Sequence, residues 1–88
     1  MFCLIASKRF QKNLANFINK HPELEIILKE KLNLLQHNPN DSRLKIHKLS
    51  GKLKNCWAIW ITYEHRLIFH LENKYIFLLA VGTHNEVY

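Results

Sequence analysis

Residues 56–81, CWAIWITYEHRLIFHLENKYIFLLAV, decide the architecture, because three apolar runs follow one another with only short polar breaks. The runs cover residues 56–62, 66–71 and 75–81, and they are rich in the β-branched and aromatic residues that favour strands. The breaks between them are short enough for tight connections between antiparallel neighbours. The second half of the chain is therefore predicted to be an antiparallel meander.

The first half of the chain predicts a strand and a helical hairpin. The apolar run 2–6 predicts a first strand that is buried on both faces. Ser7 offers an N-cap hydroxyl, and the apolar residues after it recur at helical spacing as far as Lys20. Pro22 suits the first turn of a second helix, which the turn at 38–41 ends. With a short strand before the meander, the order β-α-α-β-β-β-β predicts an α+β fold, its helical hairpin on one face of a mostly antiparallel sheet.

The composition indicates one small basic domain. The chain has 88 residues, and 13 Lys and Arg against 7 Asp and Glu give a net charge of +6. Excess cations suit a polyanion, either nucleic acid or an acidic protein segment, although they also serve solubility alone. The longest apolar run is far shorter than the roughly 20 residues of a membrane span, and nothing resembles a secretory signal. A cytoplasmic protein is expected.

The cysteines and histidines do not predict a metal site. Cys3 and Cys56 match no zinc motif and are expected to be small buried hydrophobic residues. The six histidines are scattered, with no i, i+4 pair. We therefore expect neither a metal nor another cofactor.

Strand alternation predicts a polar face on the sheet. Leu67, Phe69 and Leu71 share one face of their strand, while Arg66 and His70 share the other. Trp60 of the preceding strand joins that second face by the same alternation. Cations beside an aromatic ring suit single-stranded nucleic acid.

Polar residues concentrate in segments 47–54, 63–66 and 82–88, at the ends of the predicted strands. Each segment also has an ordinary explanation: solvated lysines, a surface ion pair or a frayed terminus. If the segments converge, they hold what metal-independent RNA cleavage needs: a base for the 2′-hydroxyl, an acid for the leaving 5′-oxygen, and cations at the phosphate. His47 and His84 are the proton-transfer candidates, and Arg66 the phosphate ligand. The candidates for holding the RNA are Lys48, Lys52, Lys54, Trp60, His65 and Tyr88.

The motifs of the second half carry a family resemblance. Leu49-Ser50-Gly51, Trp57, the run ITYEHRLIF at 61–69 and the ending GTHNEVY at 82–88 resemble the RelE/ParE superfamily of bacterial toxins. Within it the chain looks most like the YafQ-type and YoeB-type mRNA interferases. The ending matches the Gly-Thr/Ser-His-x-x-Leu/Val-Phe/Tyr pattern, and the Glu-His-Arg-Leu segment is similar to YoeB.

The resemblance implies the RelE-like fold and a toxin of a type II toxin–antitoxin system. It implies a ribosome-dependent endoribonuclease that cuts translated mRNA in the decoding site of the 30S subunit and leaves a 2′,3′-cyclic or 3′-phosphate end. It also implies a cognate antitoxin, through which alone the toxin would contact promoter DNA. An acidic, flexible partner segment would also neutralise a basic RNA-binding groove on physical grounds.

The resemblance also implies a role for each matched residue. His47 and His84 fall at proton-transfer positions, and Arg66 at the arginine that stabilises the phosphorane. Glu64 falls at an acidic position that assists or orients proton transfer, and Tyr88 at the aromatic residue that positions the nucleotide. Trp60 stands where YafQ-type enzymes carry a further histidine.

Two other functions fit the same fold. A ParE-like protein inhibits DNA gyrase without cleaving RNA, and a degenerate member binds only its antitoxin. His47, Arg66, His84 and Tyr88 together favour the ribonuclease, because ParE-like members generally lack the convergent histidines and the terminal motif.

Overall fold

The structure, a computed structural model, describes residues 1–53 and 55–88, with the backbone alone at residue 52. Its elements follow the predicted order, with one helical turn added at the C-terminal end. Within the described residues no helix is long and apolar enough to cross a bilayer, and 3₁₀ turns lie at Pro22–Leu24, Ser42–Leu44 and Gly51–Leu53. The strands are β1 (Cys3–Ala6), β2 (His47–Lys48), β3 (Cys56–Trp60), β4 (His65–Glu72) and β5 (Tyr75–Thr83), and the helices are α1 (Lys8–Lys20), α2 (Glu25–His37) and α3 (His84–Val87).

The two long helices begin and end close to the predicted positions. The Ser7 hydroxyl accepts the Phe10 N–H at 3.1 Å, which satisfies one of the amide groups that the first turn of α1 leaves unpaired. Pro22 opens the 3₁₀ turn that leads into α2, so α1 stops at Lys20. Each helix buries an apolar stripe against the sheet; the fully buried members are Phe10 and Phe17 in α1 and Leu28 and Leu35 in α2.

The strands form one mixed sheet in the order β1-β5-β4-β3-β2. β1 runs parallel to β5, and every other neighbouring pair is antiparallel. The core lies between the helices and one face of this sheet, which confirms the predicted α+β layers. Its buried sheet residues are Ile59, Leu67, Phe69, Ile76, Leu78 and Val81, and Ile61 of the following loop packs with them.

β1 corrects two expectations. It lies at the edge of the sheet, and on the face away from the helices Ile5 is 39% exposed and Cys3 is exposed, so the prediction of a strand buried on both faces is wrong. Cys3 is therefore not a buried hydrophobic residue, and Cys56 is only half-buried. An apolar run cannot distinguish a central strand from an edge strand, because that depends on which strands pair with it.

β5 extends beyond β1, and two side chains form hydrogen bonds with the backbone groups that β1 does not pair. Asn13 of α1 donates its amide to the Val81 carbonyl at 3.1 Å and accepts the Val81 N–H at 2.8 Å, as a neighbouring strand would. Further along, the Glu86 carboxylate accepts the Thr83 N–H at 2.8 Å. These bonds attach β5 to α1 and α3, and so fix where the C-terminal residues lie.

The polar face predicted from strand alternation is present. Trp60 and Arg66 are direct cross-strand partners on the side away from the helices. β3 ends at Trp60, two residues earlier than predicted, because residues 61–64 bend away into the loop before β4. His70 lies on the same face but towards the other end of β4, where its Nδ1 is 3.0 Å from the Asn55 carbonyl oxygen.

Candidate functional site

A groove of about 620 Å³ opens on the polar face of the sheet. The groove is formed by β2 and the 3₁₀ turn after it, by the ends of β3 and β4, and by α3. We call it the sheet groove. Its lining residues are His47, Leu49, Ser50, Leu53, Trp60, Arg66, His84 and Tyr88.

His47 and Tyr88 meet across the sheet groove. His47 pairs with Ala58 in the β2–β3 ladder, so it shares a face with Trp60. The His47 Nε2 atom lies 3.3 Å from the Tyr88 hydroxyl oxygen, and Nδ1 lies 3.3 Å from the Lys45 carbonyl oxygen. Burial raises the pKa of the Tyr88 phenol, and the nearby Arg66 charge offsets only part of that rise. Tyr88 is therefore a neutral hydrogen-bond donor at physiological pH.

Arg66 is held on two sides. Its guanidinium carbon lies 4.2 Å from the centroid of the Trp60 ring, a cation–π contact. Its Nη1 donates to the carbonyl oxygens of Thr62, Tyr63 and His65 at 2.9, 2.8 and 3.2 Å. Nη1 is thus committed to backbone carbonyls of the 61–64 loop and of His65, which leaves Nε and Nη2 as the donors for an anion in the groove.

α3 presents His84 and Tyr88 to the groove. Thr83 is its N-cap: the Thr83 hydroxyl accepts the Glu86 N–H while the Glu86 carboxylate accepts the Thr83 N–H, a complete capping box. Hydrogen bonds from the backbone and side chain of Thr83 to the Glu86 carboxylate hold the pKa of that carboxyl below its usual value. The His84 and Tyr88 rings pack edge to face with their centroids 4.2 Å apart. The segment expected as a possible frayed tail is therefore an ordered turn.

The structure brings together five of the ten predicted site residues, places three elsewhere and does not describe the side chains of the other two. His47, Trp60, Arg66, His84 and Tyr88 line the sheet groove. Glu64 is exposed in the 61–64 loop and does not line it. His65 is buried on the opposite side, with Nδ1 2.8 Å from the Thr62 hydroxyl and its ring against His21 and Phe17 at 4.8 and 5.4 Å.

The predicted lysines do not line the groove where they are described. Lys48 faces away from His47 by alternation, and its ammonium lies 5.9 Å from the Trp57 ring centroid. Lys54 and the side chain of Lys52 lie outside the described residues. Lys45 is a cation that the motifs did not indicate: its ammonium lies 5.5 Å from the Trp60 ring centroid. The only signal was its position two residues before His47.

Among the described residues no three His, Cys, Asp or Glu side chains are grouped so that they could hold a metal ion. The chemistry available in the sheet groove is that of two imidazoles, a phenol and a guanidinium. Imidazoles accept and donate protons near neutral pH, and a forked guanidinium binds phosphate oxygens.

A helical hairpin on a mixed five-stranded sheet is the fold that this chain shares with solved toxins of the RelE-like class. The sequence profile described as "Bacterial toxin of type II toxin-antitoxin system, YafQ" matches residues 4–88. The chain therefore belongs to the YafQ family of type II toxin–antitoxin toxins.

Solved structures share the fold over essentially the whole chain. A copper-bound mutant toxin from Helicobacter pylori is 26% identical, with full coverage of both chains and a TM-score of 0.83. The match in the DinJ–YafQ complex of E. coli is 22% identical over 100% of this chain and 99% of that chain, with a TM-score of 0.83. The match in the YoeB–YefM complex of Staphylococcus aureus is 19% identical over 96% and 98%, with a TM-score of 0.76. A comparison with curated protein sequences found no match.

Proposed function

We propose that this toxin is an endoribonuclease that cleaves translated mRNA on the ribosome without a metal ion. The observation that carries the proposal is the convergence of His47, Arg66, His84 and Tyr88 on the sheet groove, from β2, from β4 and from α3 with its C-cap. Family membership makes the chain a toxin. The groove supplies the chemical groups with which it would act.

In the proposed reaction one imidazole removes the proton from the 2′-hydroxyl, and the 2′-oxygen attacks the adjacent phosphorus. The bond from phosphorus to the 5′-oxygen breaks, and the second imidazole, in its protonated form, gives that oxygen a proton. The products are a 2′,3′-cyclic phosphate and a free 5′-hydroxyl. Nε and Nη2 of Arg66 stabilise the charge that grows on the phosphate oxygens.

The aromatic residues would position the RNA. The Tyr88 ring is edge-on to His84, and the Trp60 ring lies under Arg66, so each aromatic ring stands beside a group with a chemical role. Stacking an unpaired base on Tyr88 would hold the scissile phosphate near both histidines. Glu64 and His65 do not line the groove, so this mechanism assigns them no direct contact with the substrate.

The proposed partner is an antitoxin, and promoter DNA would be contacted only through it. Solved relatives are in complexes named DinJ–YafQ and YoeB–YefM. A chain of net charge +6 suits an acidic partner segment laid over the basic groove. The proposed substrate also places the toxin in the cytoplasm, where ribosomes are. A pull-down from the native cell at moderate salt that returned no small acidic protein would contradict the partner assignment.

The decisive experiment maps mRNA 5′ ends after brief induction of the wild type and of His84→Ala, with and without a translation inhibitor. His37→Ala is the matched control, because His37 is exposed at the end of α2, away from the groove. We expect new 5′ ends with the wild type and the control, only during translation, and almost none with His84→Ala. Arg66→Ala should lower the cleavage rate by about 10²–10³, the usual loss for one transition-state donor. Growth arrest with intact mRNA would refute the proposal and direct attention to DNA breaks.

A further inference from the structure

Lys45 does not itself line the sheet groove, but two of its groups contact residues that do, His47 and Trp60. Its backbone is left-handed, with φ 51° and ψ 47°, a conformation that costs a lysine about 1–2 kcal/mol. Its N–H bonds to the Ser42 carbonyl at 3.4 Å, which closes the 3₁₀ turn before β2. Its carbonyl faces His47 Nδ1, and its ammonium faces Trp60. A disfavoured backbone that directs both groups at one site points to a functional position.

The carbonyl determines the tautomer of His47. A carbonyl oxygen only accepts hydrogen bonds, so the His47 Nδ1 atom that faces it at 3.3 Å must carry the hydrogen. In the neutral ring Nε2 then has the lone pair, and it accepts from the Tyr88 hydroxyl 3.3 Å away in the groove. A lone pair directed into the groove suits His47 to the role of base.

The ammonium adds a second cation to the same indole. Lys45 Nζ lies 5.5 Å and Arg66 Cζ lies 4.2 Å from the Trp60 ring centroid. Both cations therefore contact an indole that lines the groove. A phosphate bound beside that indole would be attracted by both positive charges.

We propose that Lys45 is a positioning residue that fixes His47 as the general base through its left-handed backbone carbonyl, and that its ammonium is a second phosphate ligand beside Arg66. The proposal rests on the proposed ribonuclease function. Its two parts depend on different atoms of one residue, so different substitutions separate them.

Two substitutions and one control test the assignment. Lys45→Asn removes the ammonium but tolerates the left-handed backbone. Lys45→Val removes the ammonium and also disfavours that backbone, because valine is β-branched. Lys74→Asn is the matched control, since Lys74 is an exposed lysine in the turn after β4, at the opposite end of that strand from Arg66.

The backbone part is measured without any substrate. Two-bond ¹H–¹⁵N correlation of the imidazole rings reports which ring nitrogen of His47 carries the hydrogen. We expect the Nδ1–H form in the wild type, Lys45→Asn and Lys74→Asn, and a loss of that form in Lys45→Val. The Nε2–H form in the wild type, or an unchanged Nδ1–H form in Lys45→Val, would overturn it.

The ammonium part is measured as the salt dependence of binding to a single-stranded RNA oligomer with 2′-deoxy substitution at the cleaved position. One lost phosphate contact reduces the slope of log K against log salt by about 0.7. We expect that reduction in Lys45→Asn and no change in Lys74→Asn; an unchanged slope in Lys45→Asn would overturn the assignment. If the wild type cleaves no mRNA, the proposed function fails. The NMR result still decides which ring nitrogen of His47 carries the hydrogen.

Discussion

The C-terminal turn α3 carries two of the groove residues, and its geometry depends on one carboxylate. Glu86 accepts the Thr83 N–H at 2.8 Å, and Thr83 caps the Glu86 N–H at 3.3 Å. A four-residue helix has no stability of its own. The capping box therefore keeps His84 and Tyr88 in the groove. We predict that Glu86→Ala lowers the proposed mRNA cleavage although Glu86 does not line the groove.

The size of the effect follows from the bonds that are lost. Removing a cap interaction typically costs about 1 kcal/mol, and 1.4 kcal/mol corresponds to a factor of ten in an equilibrium. The ratio of ordered to disordered α3 should fall about fivefold, and the cleavage rate should follow that population. Glu86→Gln keeps an acceptor oxygen and should lose less. Global stability should change little, because α3 lies at the chain end.

Gly82 provides an independent test of the same contact. A Cβ atom at Gly82 would lie 2.8 Å from Glu86 Oε1, so Gly82→Ala should displace the carboxylate from Thr83. We expect Gly82→Ala to reduce cleavage about as much as Glu86→Ala, and the double variant to be no worse than either.

The assays are single-turnover cleavage on programmed ribosomes and the ¹H NMR shifts of the His84 and Tyr88 rings, which report their 4.2 Å packing. Additive losses in the double variant would show that the two residues act separately. Wild-type cleavage and unchanged ring shifts in Glu86→Ala would refute the role of the capping box altogether.

Three further predictions concern stability and pH. His65→Ala should destabilise the fold by about 1–3 kcal/mol in chemical denaturation, because it opens a cavity beside His21 and Phe17 and removes the hydrogen-bond partner of Thr62. Cleavage per folded molecule should stay unchanged. A selective loss of cleavage would place His65 in the site after all. Asn13→Ala should lower the free energy of unfolding by about 1–3 kcal/mol, because it leaves the Val81 N–H and carbonyl without their hydrogen-bond partner. Hydrogen exchange at the Val81 amide should accelerate. Unchanged exchange would contradict the role of Asn13 in capping the edge of β5. Arg43 lowers the pKa of Asp41 from 3.8 to about 2, so this ion pair stabilises the fold fully above pH 3.8, and its contribution is lost as the pH falls from there through 2. Asp41→Asn should therefore flatten the acid side of a plot of stability against pH. The same acid side in both proteins would refute this role of the ion pair.

Periodicity predicted most of the fold because each element here has a strong local signal. Ser7 and Pro22 mark helix boundaries through their own hydrogen-bonding chemistry, and the alternation in residues 66–71 assigns each side chain to a face. The predictions were wrong where the pairing between strands decides which residues are buried. The apolar run 2–6 was expected to be buried on both faces, but β1 became an edge strand, and Cys3 and Ile5 are exposed.

The candidate site divides in the same way. The residues proposed to carry the chemistry, among them His47, Arg66, His84 and Tyr88, were recognisable as residue types at strand ends and in family motifs. Neither their distances nor the burial of His65 beside Phe17 and His21 was predictable, because these depend on contacts between elements far apart in the chain. Lys45 carries no motif, so only the structure revealed its contact with Trp60.

The sequence by itself determined the order of the elements, the basic charge and the set of groups available for proton transfer and phosphate binding. These properties are local, since they follow from each side chain and its near neighbours. The tertiary structure decided which of those groups share one groove, which nitrogen of His47 faces it, and which lysine accompanies Arg66. Those relations depend on strand register and on the backbone at single residues, which no local pattern encodes.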